Sequence, residues 1–219
     1  MVRVAGGKNS YLKHRLRELA FLAVLSTVFL ILLGWVVHPL FLIGIPVSLT
    51  YLAGKYRAYR AGIRGEDAVA VILEGFDDRY TLFNGVRLPG ADGDIDHVLV
   101  GPKGIFVIET KNYRGFVACR GDAWYRKVRD DWIPLGRSPS KQAKYNASVL
   151  NEFLTERHLG EWVYAVVVFV NTSMKSIFED TTVDIVYGDE LRAHILAYPN
   201  ILTPDRAEEI ASALITATG

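Results

Sequence analysis

The chain has one cysteine, almost no net charge, and no repeated or low-complexity segment. Lys and Arg nearly balance Asp and Glu over 219 residues, which gives a formal net charge of +1. Because Cys119 has no second cysteine to pair with, we expect a structural rather than a reactive thiol, in keeping with a reducing compartment. Gly-rich phosphate loops, zinc-ligand spacings and a Gly-x-Ser-x-Gly nucleophile elbow are also missing from the sequence. The chemistry must therefore lie in other residues.

Residues 19–54 contain no Asp, Glu, Lys or Arg and are almost entirely apolar. One straight helix of this length would measure about 50 Å, whereas the hydrocarbon core of a bilayer is about 30 Å thick. His38-Pro39 lies in the middle of the run, where proline interrupts helices. The sequence therefore predicts a transmembrane helical hairpin with spans at Leu19–Val37 and Leu40–Gly54. Because the second span is short and contains Pro46, a re-entrant second helix is the alternative.

Basic residues flank this apolar run on both sides and give its expected orientation. They are Lys8, Lys13, Arg15 and Arg17 before the run and Lys55, Arg57, Arg60 and Arg64 after it. Since positive flanks favour the cytoplasm, we expect a two-span cell-membrane protein with both termini and the following domain cytoplasmic. A cleaved signal peptide is the rival interpretation, but the run is too long for one. The expected division is a basic segment 1–18, a hairpin 19–54, a basic juxtamembrane linker 55–62 and a folded domain 63–219.

The segment from Ile95 to Lys111 predicts a β-hairpin that carries two opposed carboxylates. Two Val- and Ile-rich runs flank Gly-Pro-Lys-Gly, which is typical of a tight turn between antiparallel strands. Counting outward from that turn places Asp96 opposite Glu109, about 5 Å away, with Lys111 on the same face. Like charges directly opposed destabilise a strand pair unless a cation lies between them. A divalent metal with oxygen ligands meets that need, which points to phosphodiester chemistry.

Asp96, Glu109 and Lys111 resemble the D…(D/E)-x-K core of the restriction-endonuclease-like nucleases. The wider pattern is similar to the NERD (nuclease-related) domain, a branch of that superfamily, over roughly Ile63 to Asn171. The residues that carry this resemblance are Gly65-Glu66, Ile95-Asp96-His97, Gly104 to Asn112, Gly115, Trp124, Pro139-x-x-Gln142 and a Val-rich strand ending in Phe169. One departure is Ser138 before Pro139, where this family would have Asn.

The resemblance implies that Glu66, Asp96 and Glu109 hold one or two Mg²⁺ (or Mn²⁺) ions and that Lys111 positions or activates the attacking water. It also places Gln142 near the metal. The residues themselves support Glu66, because it falls on an apolar helical stripe with Val69, Leu73 and Phe76. The alternatives are a first-turn glutamate favoured by the helix dipole for Glu66 and a surface helix residue for Gln142.

Other polar residues fit the site less well. His97 alternates to the strand face opposite Asp96, which indicates a packed or hydrogen-bonded core residue rather than a ligand. Asp92 and Asp94 lie in a turn-rich segment where Asp is common for backbone reasons.

The part of the chain after Arg64 is net acidic, but it contains a local basic cluster interleaved with aromatic residues. The cations are Lys111, Arg114, Arg120, Arg126, Lys127, Arg129, Arg137, Lys141 and Lys144, and the aromatic residues are Trp124, Tyr125 and Trp132. This pattern fits a phosphate-facing strip with stacking platforms. The alternative is a solvated β-hairpin, Val117–Tyr125 against Trp132–Leu135, with ordinary surface charges.

The hydrophobic periodicity predicts an α/β domain with a mixed sheet flanked by helices, restriction-endonuclease-like. The expected helices are 64–75, 139–157, 188–197 and 204–217, and the expected strands lie near 80–88, 94–100, 105–111, 116–120, 124–128, 163–170 and 182–187. The leading hypothesis is a membrane-anchored, Mg²⁺-dependent nuclease acting on nucleic acid, DNA rather than RNA. The alternatives are a catalytically silent module that binds nucleic acid or a protein partner, and a structural scaffold.

Overall fold

The computed structural model describes residues 1–5, 10–91, 93–171 and 175–218. The chain forms two compact units, one comprising Asn9–Arg64 and the other comprising Met1–Lys8 together with Gly65–Gly219. The helices are α1 Ser10–Val36, α2 Gly44–Glu74, α3 Pro139–Thr155, α4 Leu191–Ala197 and α5 Pro204–Thr218. The strands are β1 Arg3–Ala5, β2 Thr81–Val86, β3 Ile95–Gly101, β4 Gly104–Lys111, β5 Phe116–Arg120, β6 Ala123–Val128, β7 Asp131–Pro134, β8 Val163–Phe169, β9 Lys175–Glu179 and β10 Asp184–Tyr187.

The first unit consists of α1, a short 3-10 helix at Pro39–Ile43, and the N-terminal part of α2. Helix α1 ends at Val36, and His38 caps the 3-10 helix by accepting a hydrogen bond from the Leu40 amide at 3.1 Å. The break therefore lies at the predicted position. Gly34 and Gly44 allow the chain to fold back closely. A Cβ at Gly34 would lie 2.6 Å from the Leu42 side chain, and a Cβ at Gly44 would lie 3.1 Å from the Leu30 side chain.

The predicted two-span hairpin is only partly present in these helices. Among the described residues, one helix is long and apolar enough to cross a membrane, Lys13–Val36, with a mean hydropathy of 2.6. The second helix falls short because its apolar part, from Gly44, stops at Lys55 and the helix continues with charged residues to Glu74.

A mixed six-stranded sheet forms the centre of the second unit, in the order β1-β2-β3-β4-β8-β10. Strands β2, β3 and β4 are antiparallel, whereas β1 is parallel to β2 and β8 is parallel to both β4 and β10. Strand β8 is apolar throughout, as its sequence predicts for a strand covered on both faces. This confirms the mixed α/β architecture.

Helices cover both faces of this sheet, and the alternation of apolar side chains along the strands explains why. Val98 and Val107 point to one face, where they pack with residues of α3 and α5 such as Leu150 and Ile210. Leu99, Phe106 and Ile108 point to the other face, where they pack with residues of α2 and α4 such as Leu73 and Ile195. The apolar residues of these strands are therefore buried alternately against the helices on one face and on the other.

A second, smaller sheet has four strands in the order β7-β6-β5-β9, and its first strand in the chain, β5, follows the β3–β4 hairpin. Val117, Cys119 and Trp124 on its inner face pack against Phe169 of β8 and Ala143 of α3. The indole N–H of Trp124 donates to the Ser140 hydroxyl at 2.8 Å, which ties this sheet to the start of α3. The buried Cys119 thiol is structural, as expected, and burial raises its pKa.

The departures from the expected elements have local causes. The helix predicted at 64–75 is the end of α2, which continues without a break from Gly44. The strands predicted near 116–120 and 124–128 are present as β5 and β6, and Gly121 at φ 57° turns the chain between them, so the alternative single strand Val117–Tyr125 is not formed. Strands β1 and β9 were not predicted, since short strands acquire their structure from the neighbour with which they pair.

Candidate metal-dependent hydrolytic site

The β3–β4 hairpin has the register that the sequence predicts. Val100 pairs with Ile105 and His97 pairs with Ile108, so the next step outward brings Asp96 opposite Glu109. Gly104 has φ 120°, a conformation that favours glycine and that closes the turn. A shift of one residue would have sent Asp96 to the opposite face from Glu109.

The two carboxylates are held in place by hydrogen bonds from different elements. The Thr110 amide of β4 donates to Asp96 Oδ2 at 2.8 Å, which links the two strands at this point. Glu109 is only 1% exposed. Its Oε2 accepts a hydrogen bond from Asn146 Nδ2 of α3 at 3.4 Å.

Lys111 lies beside these carboxylates and joins them to α3. Its Nζ donates to Glu109 Oε1 at 2.5 Å and to Gln142 Oε1 at 3.3 Å. The lysine side chain is 17% exposed, so its charge is largely removed from water. The structure therefore places Gln142, whose alternative interpretation was a surface residue, directly against Lys111.

The start of α3 is what brings Gln142 to this position. Ser138 is the N-cap residue and accepts a hydrogen bond from the Lys141 amide at 3.2 Å. Serine performs this role as well as asparagine does, so the departure from the family pattern leaves the helix start intact.

Three carboxyl groups in this site have raised pKa values, and burial is the largest cause for each of them. Burial, with repulsion from Glu109 and Glu66, holds the pKa of Asp96 well above its ordinary range. Burial also raises the pKa of Glu109, against the opposing effect of Lys111. For Glu66, burial and then repulsion from Glu109 raise the pKa to about 7.

Lys111 stays charged in spite of its burial. Desolvation alone would lower its pKa, but the Glu109 and Asp96 carboxylates outweigh that effect and raise it. At neutral pH this side chain is thus an ammonium group that donates hydrogen bonds. It has no free pair of electrons with which to act as a base.

Sequence reasoning passed over three residues that the structure places near the site. Asn146, one helical turn after Gln142, contacts Glu109, and the i, i+4 spacing on α3 was the available signal. Tyr113 follows Lys111 by two positions and lies within the electrostatic reach of Lys111 and Glu109. Asp94, interpreted as a turn residue, adds to the repulsion on Glu66.

His97 lies outside this group of residues. The His97 imidazole is buried, with its Nδ1 2.7 Å from the Asn84 side-chain oxygen, and burial lowers its pKa to about 3. This confirms a hydrogen-bonded core residue on the opposite strand face. Asp92 lies outside the described residues.

The oxygen donors suit a hard divalent cation, although they are not assembled into a finished metal site. Within the described parts of the chain, no three His, Cys, Asp or Glu side chains are grouped closely enough to hold an ion. The positive charge between the strands comes instead from Lys111. Carboxylates that repel one another in a buried position are nevertheless the ligand type that Mg²⁺ and Mn²⁺ prefer.

Comparison with known proteins gives a match over the same part of the chain. The family model described as NERD, nuclease-related domain, matches residues 61–170, half of the chain. An uncharacterized protein of Bacillus anthracis is 32% identical over 85 residues, which cover 37% of this chain and 40% of that protein. The chain therefore spans less than half the length of this relative. No solved structure gave a significant match.

Proposed function

Because the chain belongs to the nuclease-related domain family, we propose that it is a divalent-metal-dependent nuclease anchored in the cell membrane and acting on the cytoplasmic side. Its substrate would be nucleic acid, DNA rather than RNA. The observation that carries this proposal is the buried group of Asp96, Glu109 and Lys111 on one face of β3 and β4. The mixed sheet with helices on both faces also supports a restriction-endonuclease-like fold.

In this proposal Asp96 and Glu109, with Glu66 from α2, would hold Mg²⁺ or Mn²⁺. When bound, the metal would polarise the scissile phosphate and lower the pKa of a water molecule. Lys111 would donate hydrogen bonds to the negative charge that develops on the phosphate, because its raised pKa keeps it protonated. Gln142 and Asn146 would position Lys111 and Glu109 by their hydrogen bonds.

The proposal is tested by incubating the full-length protein in detergent with labelled DNA and RNA, in Mg²⁺, Mn²⁺ or chelator. We expect cleavage that requires the metal and that Asp96→Asn abolishes. Asp189→Asn is the matched control, because it makes the same chemical change in an exposed residue remote in sequence from the site. Cleavage that persists in chelator, or in Asp96→Asn, would overturn the proposal.

We further propose that residues 19–54 cross the membrane twice, with both termini cytoplasmic. Support comes from strand β1, which pairs with β2 in the same compact unit that resumes at Gly65. Both ends of the apolar segment therefore lead into one folded unit, which can occupy only one side of a bilayer. If α1 crosses the membrane, the chain must return, and the residues available for that return are Pro39–Gly54. The basic residues on both flanks favour the cytoplasmic side.

A further inference from the structure

The smaller sheet has one open face whose residues are fixed by the strand register. Ala118 pairs with Tyr125 on one side and with Ile177 on the other, and Lys127 pairs with Trp132. Residues that pair across strands share a face, so all five point away from the buried side of the sheet. The opposite face carries Val117, Cys119 and Trp124, which are buried.

This open face exposes several large apolar and aromatic side chains. It contains a shallow depression of about 360 Å³, whose lining includes the open-face residues Ala118, Arg120, Tyr125, Trp132, Ile177 and Glu179. Trp132 is 40% exposed and Ile177 is 51% exposed. The small side chain of Ala118 forms the floor between Tyr125 and Ile177.

Positively charged side chains lie among the aromatic residues of this face. The Arg120 side chain is 77% exposed, and its Nε lies 3.9 Å from Glu179, the acid of the same face. Lys127 Nζ lies 5.8 Å from the centre of the Phe116 ring. Tyr125 and Trp132 are diagonal neighbours on adjacent strands, a separation of roughly 7–8 Å, about twice the 3.4 Å spacing of stacked bases.

From these observations we infer that the open face of the β5–β6–β7–β9 sheet binds single-stranded nucleic acid. The bases would stack on Tyr125 and Trp132, and Arg120 and Lys127 would contact the phosphates. A duplex does not fit this description, because its bases already stack on one another and present only their edges. An apolar protein segment fits less well than a polyanion, because exposed cations interrupt the apolar surface.

The open face lies close in sequence to the proposed site, which agrees with a role in holding the strand that the site would cleave. Five peptide units separate Lys111 from Phe116, the first residue of β5, so their Cα atoms are at most about 18 Å apart. Stacked bases would cover that distance in about five nucleotides. That the ligand is nucleic acid rests on the proposed nuclease function. What is added is that the nucleic acid is single-stranded and that these residues hold it.

The test measures binding and cleavage separately, with the full-length protein in detergent. In chelator, fluorescence anisotropy of labelled oligo(dT) should show binding that weakens as salt rises. Trp132→Ala should weaken it about 5- to 100-fold, Tyr125→Ala should act in the same direction, and Lys127→Ala should reduce its salt dependence. Trp162→Ala is the control, because Trp162 is 72% exposed and lies outside this face.

Each outcome bears on one of the two proposals. Equal binding by wild type, Trp132→Ala and Tyr125→Ala overturns the inference, even if the protein cleaves DNA. Tighter binding of duplex than of oligo(dT), or no binding of oligo(dT) at low salt, also overturns it and leaves the face to a partner of another class. Binding that depends on Trp132 without any metal-dependent cleavage supports the inference and overturns the nuclease.

Discussion

At the scale of single residues, the site is a group of buried carboxylates, among which Glu66, Asp96 and Glu109 repel one another. Lys111 neutralises Glu109, but burial and mutual repulsion still raise the pKa values of Asp96, Glu109 and Glu66. Such an arrangement costs folding free energy whenever the carboxyl groups ionise. In the proposed function, the binding of a cation offsets that cost.

The first prediction concerns the pH dependence of stability in chelator. An acid whose pKa is raised in the folded state binds more protons there than in the unfolded chain, so the free energy of unfolding falls as pH rises between the two pKa values. For Glu66 this window runs from the ordinary pKa of 4.5 to the raised pKa of about 7. We expect wild-type stability to fall over that range, by at most about 3 kcal/mol from Glu66.

In chelator at pH 8, Asp96→Asn should be more stable than wild type by about 1–3 kcal/mol, because it removes the ionised, repelled carboxylate. The difference should be smaller at pH 4.5, because the pKa of Asp96 is raised in the folded protein and its protonation relieves the repulsion. Thermal unfolding at both pH values measures it. A variant less stable than wild type at pH 8 would show that Asp96 serves the fold rather than a cation.

Lys111 gives the third prediction. Lys111→Ala should lower the cleavage rate at least about 100-fold while leaving Mg²⁺ affinity equal or higher, because a competing positive charge is gone. In chelator this variant should lose stability, and Mg²⁺ should restore it, because the ion replaces the lysine between the carboxylates. Calorimetric Mg²⁺ titration and thermal unfolding separate these effects. Lys103→Ala, at the other end of the same strand pair, is the control.

At the scale of secondary structure, the β3–β4 hairpin decides whether the site exists. Its register depends on a turn in which Gly101 packs directly against a buried aromatic ring. A Cβ at Gly101 would lie 2.1 Å from the Tyr80 side chain, which is 1% exposed and has little room to move. The glycine at this position is therefore required by packing and not by its φ angle.

Gly101→Ala should accordingly destabilise the protein by about 1–3 kcal/mol through overpacking. Gly93→Ala is the matched control, because a Cβ there would meet nothing within 4 Å. The shift in thermal midpoint of the two variants measures the effect. Equal midpoints would mean that the Tyr80 ring can leave its place at no cost.

At the scale of the whole molecule, the proposed double crossing of the membrane rests on chain connectivity. Strand β1 and the end of α2 belong to one unit, with the apolar segment between them. Only an even number of crossings leaves both on the same side of a bilayer. Because the apolar part of α2 ends at Gly54, the proposed return depends on the apolar residues from Pro39 onward.

The topology prediction is tested in intact cells with single cysteines in a Cys119→Ser background. Lys13→Cys and Trp162→Cys should be protected from a membrane-impermeant thiol reagent, whereas His38→Cys should react. Each site should react after the membrane is permeabilised, which controls for accessibility. Reaction of Trp162→Cys but not of Lys13→Cys in intact cells would mean a single crossing and contradict the proposal, and reaction of both would contradict the cytoplasmic orientation.

The sequence by itself determined the features that depend on short-range pattern. The turn at Gly101–Gly104 set the register of Asp96 and Glu109, and alternation sent His97 to the opposite face. The capping residue and proline at Ser138-Pro139 started α3 where the structure has it. These features follow from local backbone geometry, which nearby residues control.

Only the tertiary structure decided which distant residues meet. The packing of α3 on β4 brings Gln142 to Lys111 and Asn146 to Glu109. Their i, i+4 spacing shows that the two residues share a face of α3, but not what that face packs against. Strand β1 is too short to be recognised before its pairing with β2 is known. The open sheet face likewise emerges only when four strands are aligned, because cross-strand pairing determines which of the interleaved aromatic and basic residues share a side.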